Sequence, residues 1–319
     1  MQEGIGREAE RPAQIPRKGW WQVLRRVWHR TGANNLGLIS AGVAFYALLA
    51  VFPAIVALLA LYGLFFDAAQ ASSQFSYFQG VLPEDAFRLI ADQLTEVAAG
   101  SEGRQGLGVV GATLLSVWSA TKGSRSLIVA LNVAYDEHER RNIVRLNLTA
   151  MALTLFLVML GVAGLAVILV VPLVLEFVGL SDATELLMAL LRWPLVASVA
   201  VLMLAAIYRY GPARRNARWR WVSPGALVAV AGWVAASLGF SLYVTQFGNY
   251  NVTYGSVGAV VILLMWFFIT AFVVMLGAEL NAELERQTAR DTTWHGEQPL
   301  GQRGAYVADH LPEDGPNSR

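Results

Sequence analysis

Residues 221–278 read WVSPGALVAVAGWVAASLGFSLYVTQFGNYNVTYGSVGAVVILLMWFFITAFVVMLGA, with no Asp, Glu, Lys or Arg between Arg220 and Glu279. A helix needs roughly 20 largely apolar residues to cross a hydrocarbon core of about 30 Å. A soluble core helix keeps one solvated face and has no use for such a run. The stretch divides at an uncharged polar turn, residues 248–255, into two crossings at about 221–247 and 256–278. Two further gaps free of charge, Arg30 to Asp67 and Arg145 to Glu176, repeat the pattern. Crossings at about 37–66, 107–121, 148–175 and 186–208 complete a set of six, the second continuing as a more polar helix to Tyr135. Composition agrees, since only 15% of the 319 residues are charged and 55% are hydrophobic, against about a quarter charged in soluble domains. The expected fold class is all-α: a polytopic membrane protein, a six-transmembrane-helix bundle with amphipathic interfacial helices.

Charge is segregated along the chain. The segment before the first crossing holds Arg7, Arg11, Arg17, Lys18, Arg25, Arg26 and Arg30. The second-to-third connection holds Arg140, Arg141 and Arg145, and the fourth-to-fifth holds Arg209, Arg214, Arg215, Arg218 and Arg220. The alternate connections are acidic or neutral: residues 67–104 carry six acids against two bases, and Glu176, Asp182 and Glu185 have no basic neighbour up to residue 191. The positive-inside rule makes the basic side cytoplasmic, and an even count of crossings puts both termini there. The first apolar run is too long for a signal peptide's core and begins too late, so it reads as a retained crossing. Three parts are expected: residues 1–34, a cytoplasmic segment with an amphipathic helix; residues 35–285, the six-span domain with an outer loop at about 67–105; and residues 286–319, a disordered, Gly- and Pro-rich cytoplasmic tail.

Within residues 18–30, Trp20, Trp21, Leu24, Val27 and Trp28 recur at helical spacing, opposite Lys18, Gln22, Arg25, Arg26 and Arg30. That pattern fits a helix lying in the membrane interface, or one docking on another part of the protein. In the outer loop, Phe87, Ile90, Ala91, Leu94 and Val97 predict a second, short amphipathic helix.

Ionisable groups near a bilayer are costly and so mark candidate sites. Ser119, Lys122, Arg125, Ser126 and Asn132 form a polar stripe at the inner end of the second helix. Either the cations snorkel to headgroups, or the stripe binds anionic lipid headgroups or a substrate. Glu279 and Asn281 end the sixth crossing, and Glu279 is expected to pair with Lys122 or Arg125, as an ion pair or a coupling site. Pro53 should kink the first crossing. Gly232 with Ala236 and Ala235 with Gly239 offer close helix packing, within one chain or between protomers of a homo-oligomer. There are no cysteines, so disulfides and thiolate chemistry are excluded. The net charge of +1 gives no sign of a nucleic-acid partner.

Several stretches resemble the YihY/BrkB family of bacterial inner-membrane proteins. They are AGVAFYALL at residues 41–49 leading to Phe52-Pro53, ALNVAY at 130–135, YGSVG at 254–258, Trp266, and LGAELN at 276–281. The resemblance covers about residues 20–286. It implies six spans in the bacterial inner membrane and a tie to the envelope, through resistance to serum killing or tolerance of altered lipopolysaccharide precursors. The family has also carried the label ribonuclease BN. Metal-dependent RNA hydrolysis needs clustered ligands, and here His29, His138, His295 and His310 are scattered, with no phosphate-binding loop or nucleophile elbow. The reading is therefore a protein that is not an enzyme and has no cofactor, binding or translocating an amphiphilic envelope component such as a lipid or lipopolysaccharide precursor. Its partners are membrane lipids, anionic ones included, and no nucleic acid. The alternative is a structural or interaction protein of the envelope.

Overall fold

A computed structural model describes residues 4–65, 107–178, 182–246, 256–294 and 296–312. Among them the protein is all-helical. Helix α1 (Arg17–Ala33) is followed by six long helices: α2 (Leu36–Phe65), α3 (Leu107–Ala134), α4 (Ile143–Val178), α5 (Asp182–Tyr210), α6 (Trp219–Gln246) and α7 (Ser256–Gln287). At 1.5 Å per residue, the shortest of these six, with 28 residues, is about 42 Å long. Over the described residues, Ile143–Leu160, Trp219–Val244 and Val260–Gln287 are each apolar enough to cross a membrane, with mean hydropathies of 2.0, 1.9 and 2.7. Helix α1 and the start of α2 pass the same test only as a pair, bent by 65°. The described residues thus show six long helices, three of which are clearly long and apolar enough to cross a membrane.

The bend between α1 and α2 has a local cause. Asn35 takes a left-handed backbone conformation, φ 50°, which asparagine tolerates better than most residues. The chain thereby turns without interrupting backbone pairing, since the Asn34 amide bonds to the Arg30 carbonyl and that of Ile39 to Asn35.

The long helices close a ring in chain order. Each packs on the next from α2 to α7, and α7 returns to α2. Buried Leu131, Tyr135, Tyr208, Val222 and Met275 fill the ring toward the end that carries the basic loops, called here the basic end. Between apolar surfaces in lipid, association depends on close packing and interhelical hydrogen bonds. Both are present. The Thr154 hydroxyl donates to Ser124 Oγ (2.8 Å), joining α4 to α3, and the Tyr208 hydroxyl donates to the Val274 carbonyl (2.7 Å), joining α5 to α7.

The tightest approach is between α6 and α7. A Cβ at Gly225 would lie 2.1 Å from the Gly277 carbonyl oxygen and 2.5 Å from Asn281 Cγ. Asn281 fills that contact with polar bonds, accepting from the Gly225 amide (2.7 Å) and donating to the Val222 carbonyl (3.0 Å) beside Pro224. The spacing expected to matter, Gly232 and Gly239, is looser: a Cβ at Gly232 meets only Val273 at 3.2 Å and one at Gly239 meets nothing within 4 Å.

Disorder was expected after residue 285, but the described part of the tail is folded. Helix α7 runs on to Gln287, and residues 288–294 and 296–312 fold against residues 4–16 and the 211–218 loop, with one helical turn at Tyr306–Asp309. The expected helix in the outer loop lies outside the described residues, and Pro53 sits within the helix α2.

Gly225→Ala should lower the thermal midpoint of the detergent-solubilised protein, an overpacking loss on the order of 1–3 kcal/mol. Gly239→Ala should be neutral or stabilising by up to about 1 kcal/mol. Equal melting of the two variants would contradict the close approach at Gly225.

Candidate functional site

The chemistry-bearing side chains gather at the basic end, in two layers. The first joins α1, the exit of α3 and the last turns of α7. Arg26 donates to Glu283 (2.5 Å) and Gln287 (2.8 Å), and Arg30 reaches Asp136 (2.8 Å) and Glu283 (3.6 Å). Arg286 pairs with Asp136 and lies 3.5 Å from Glu283. Asp136 holds this position because it leaves α3 in the left-handed region, φ 52°, where aspartate is one of the favoured residues. Helix α1 therefore turns two kinds of group toward α7: apolar Val23 and Val27, and the cations Arg26 and Arg30.

The second layer closes the ring. Arg214 and Glu285 form a bidentate pair at 2.7 and 3.1 Å with both side chains fully buried. Thr292 donates a third bond to Glu285 (2.7 Å), and the guanidinium lies 4.1 Å from the Tyr135 ring centre, a geometry in which the ring face attracts the cation. Beyond it sits a cap built from both ends of the chain. Ala217 and Thr293 form an antiparallel bridge, the Arg215 amide bonds to the Gly304 carbonyl (2.9 Å), and the Ala289 amide to the Arg7 carbonyl (2.7 Å). Buried Arg303 organises the tail by donating to the carbonyls of Ala289, Arg290, Gln298 and Ala308 at 2.6–3.2 Å. A Gly- and Pro-rich segment has few apolar side chains to bury, and here one guanidinium satisfies its backbone instead.

The residues singled out from the sequence do not share one surface. Lys122 and Arg125 are exposed on the outside of α3, with Arg125 3.5 Å from Asn147 of α4. Ser119 is half-buried, and Ser126 bonds back to the carbonyl of Gly123 (2.8 Å). Asn132 is buried and clamps the loops, donating to Glu139 (2.9 Å) and accepting from the Ala213 amide (2.7 Å). Glu279 is buried too, but the bond to its carboxylate comes from Asn34, where Lys122 or Arg125 was expected. Two acids of the α3–α4 connection are driven in opposite directions. Hydrogen bonds from Arg141 hold the Glu139 carboxyl down to about 2, while burial pushes Glu137 up despite the Tyr306 amide it accepts at 2.6 Å. Among the described residues, no group of three or more His, Asp or Glu is placed to hold a metal ion.

Sequence reasoning passed over Arg214, Glu285, Asp136, Asn34 and Arg303. The available signal was the run Glu279, Glu283, Glu285 and Arg286 at the end of an apolar helix, too many charges for a helix end unless their partners are buried with them.

The family model described as virulence factor BrkB matches residues 27–300. The chain belongs to the BrkB family. It is 30% identical over 258 residues to the ribonuclease-like protein YfkH of Bacillus subtilis, covering 78% of this chain and 90% of that one. It is 27% identical over 267 residues to a UPF0761 membrane protein of Methylibium petroleiphilum, covering 82% of this chain and 62% of that one. A UPF0761 membrane protein of Pseudoalteromonas translucida is 27% identical over 291 residues, 86% of this chain and 88% of that one. The chain spans only about three fifths of several such relatives. No solved structure matches. The BrkB match agrees with the resemblance read from the sequence motifs, and it establishes a membrane protein.

Breaking the buried pair with Arg214→Met or Glu285→Gln should each cost about 3–5 kcal/mol. The change should appear as a lower thermal midpoint and faster proteolysis after residue 287, and Arg214→Met with Glu285→Leu should recover most of the loss. Glu139 provides a pH test. Its folded carboxyl titrates below its ordinary value of 4.5, at about 2, so its contribution is full above about 4.5 and is lost as pH falls through 2. The stability advantage of the wild type over Glu139→Gln should therefore shrink between pH 5 and 2, and an advantage that grew on acidification would refute the assignment.

Proposed function

We propose that this BrkB-family protein spans the bacterial inner membrane six times, with both termini and the cap in the cytoplasm, and binds or translocates an anionic amphiphile of the envelope without being an enzyme. A lipid or lipopolysaccharide precursor fits that description. The observation that carries the reading is the uncovered face of α1. Its inward face is used on α7, yet Trp21 and Trp28 are 71% and 84% exposed, with Leu24 between them. These positions, i, i+3 and i+7, make one stripe, flanked by exposed Arg17, Lys18 and Arg25. Aromatic side chains beside cations suit the inner headgroup region. Lys122 and Arg125 on α3 and Arg145 on α4, all exposed, add to the same basic rim.

Orientation follows from the basic loops, and residues 35–285 form the spanning unit in this reading. A nuclease role, suggested by the name of the Bacillus relative, finds no support in the scattered histidines and has no described ligand cluster behind it. A second reading, an interaction protein of the envelope, is favoured by the folded cap, which exposes Trp294 and Leu300.

The test is reconstitution of the purified protein in vesicles of phosphatidylcholine with and without phosphatidylglycerol. Preferential retention of phosphatidylglycerol, weakened by Trp21→Ala with Trp28→Ala, is the expected result. Acceleration of labelled-lipid flipping over empty vesicles would establish translocation, whereas retention without flipping would leave binding alone. No preference between the lipids would overturn the proposal, and metal-dependent cleavage of a tRNA precursor, abolished by a point mutation, would replace it with an enzyme.

A further inference from the structure

Helices α4 and α5 leave a groove of about 260 Å³ between them near the basic end. Leu153, Phe156, Ala206 and Tyr210 form its almost wholly apolar walls, and Thr149 and Gly211 its end. Drug-sized pockets run to about 300–1,000 Å³, so the space suits part of one chain-like group and not a compact polar molecule. It also opens outward: Phe156 and Tyr210 are both partly exposed, and Leu148, Met159 and Leu202 nearby present bare apolar surface. In a membrane-spanning helix, such a surface meets acyl chains.

Charge marks only one end. The α4 residues of the groove, Thr149, Leu153 and Phe156, recur at i, i+4 and i+7, and one turn before Thr149 the same stripe carries Arg145, which is exposed. The Thr149 hydroxyl donates to the Arg145 carbonyl (2.8 Å), tying the two positions together. Arg141 donates to the carbonyl of Gly211 at the groove's end (2.9 Å), with its charge met by Glu139 at 2.8 Å. Arg125 adds a second exposed cation across Asn147. An apolar slot open to lipid with a cation at its headgroup end is complementary to one molecule class.

We infer that the α4–α5 groove is a specific site for an anionic glycerophospholipid, one acyl chain lying between Leu153, Phe156 and Ala206 and the headgroup phosphate against Arg145. This deepens the reading above, because it rests on the basic end facing the inner leaflet and on an anionic amphiphile as ligand. The chain enters from the bilayer along the open side. Tyr210, at the groove's headgroup end, supplies a hydroxyl where glycerol ester oxygens would sit.

The site is tested on the full-length protein with phosphatidylglycerol carrying a photoreactive diazirine near the end of one acyl chain. Illumination should label peptides from residues 149–156 and 203–211, and unlabelled phosphatidylglycerol should compete better than phosphatidylcholine. Arg145→Gln should weaken competition about fivefold, the effect of one juxtamembrane cation worth about 1 kcal/mol. Arg145→Lys should retain it, and Ala206→Phe, which fills the groove, should abolish labelling there. Because Ala206→Phe changes a packed helix face, the exposed Arg145 variants and the wild-type labelling pattern decide the matter independently. Phosphatidylglycerol preference with labels spread evenly over the lipid-facing helices would overturn this site and leave the broader proposal standing. Labelling confined to the groove but equal competition by both lipids would overturn the role of Arg145 and the anionic class.

Discussion

The buried pair of Arg214 and Glu285 is the constraint on which the basic end depends. Neither ion has access to solvent, so each would be strongly unfavourable without the other. Their bidentate geometry, with Thr292 donating to the same carboxylate and the Tyr135 ring beneath the guanidinium, offsets that desolvation and locks four segments together. The loop after α5, the end of α7, the tail and the end of α3 can each adopt their observed positions only while the others do. The neighbouring layer around Asp136 and Glu283 extends the same logic to α1. Apolar packing alone has little preference for one register of lipid-facing helices over another, and these two ionic layers supply the preference.

The helices were legible because lipid imposes a simple demand, an unbroken run without charge, and the gaps at 146–175 and 221–278 state it openly. Their ends were less so. The apolar run of the sixth crossing ends near residue 278, yet helix α7 continues to Gln287, because Glu279, Glu283 and Glu285 find partners from Asn34, Arg26 and Arg214. Those partners lie 71 to 257 residues away in the chain, and no local pattern announces them. The tail was misread for a related reason. Arg303 orders it through backbone carbonyls, which have no counterpart in side-chain composition.

For the candidate site, position along the helix was readable and direction was not. Lys122, Arg125 and Asn132 all lie in the second half of α3. Helical spacing groups them loosely, yet Asn132 turns inward to hold the 213 amide while the two cations face out. Small residues tell the same story: of the described glycines on α6, Gly225 meets Gly277 closely, while Gly232 and Gly239 do not, because Asn281 and Tyr208 converge at the first.

The cap has a consequence for how the protein is made. Ile5, Arg7 and Ala9 receive their hydrogen bonds from Gln287, Thr288 and Ala289, so residues 5–9 stay unpaired there until residues 287–289 have been synthesised. During synthesis Arg26 and Arg30 lack this partner until Glu283, in the last turns of α7, has emerged. Assembly of the basic end is thus a completion signal: a polypeptide truncated before residue 283, or one with a helix inserted backwards, exposes unpaired charge where a finished molecule shows a closed surface, a difference that quality-control proteases can read.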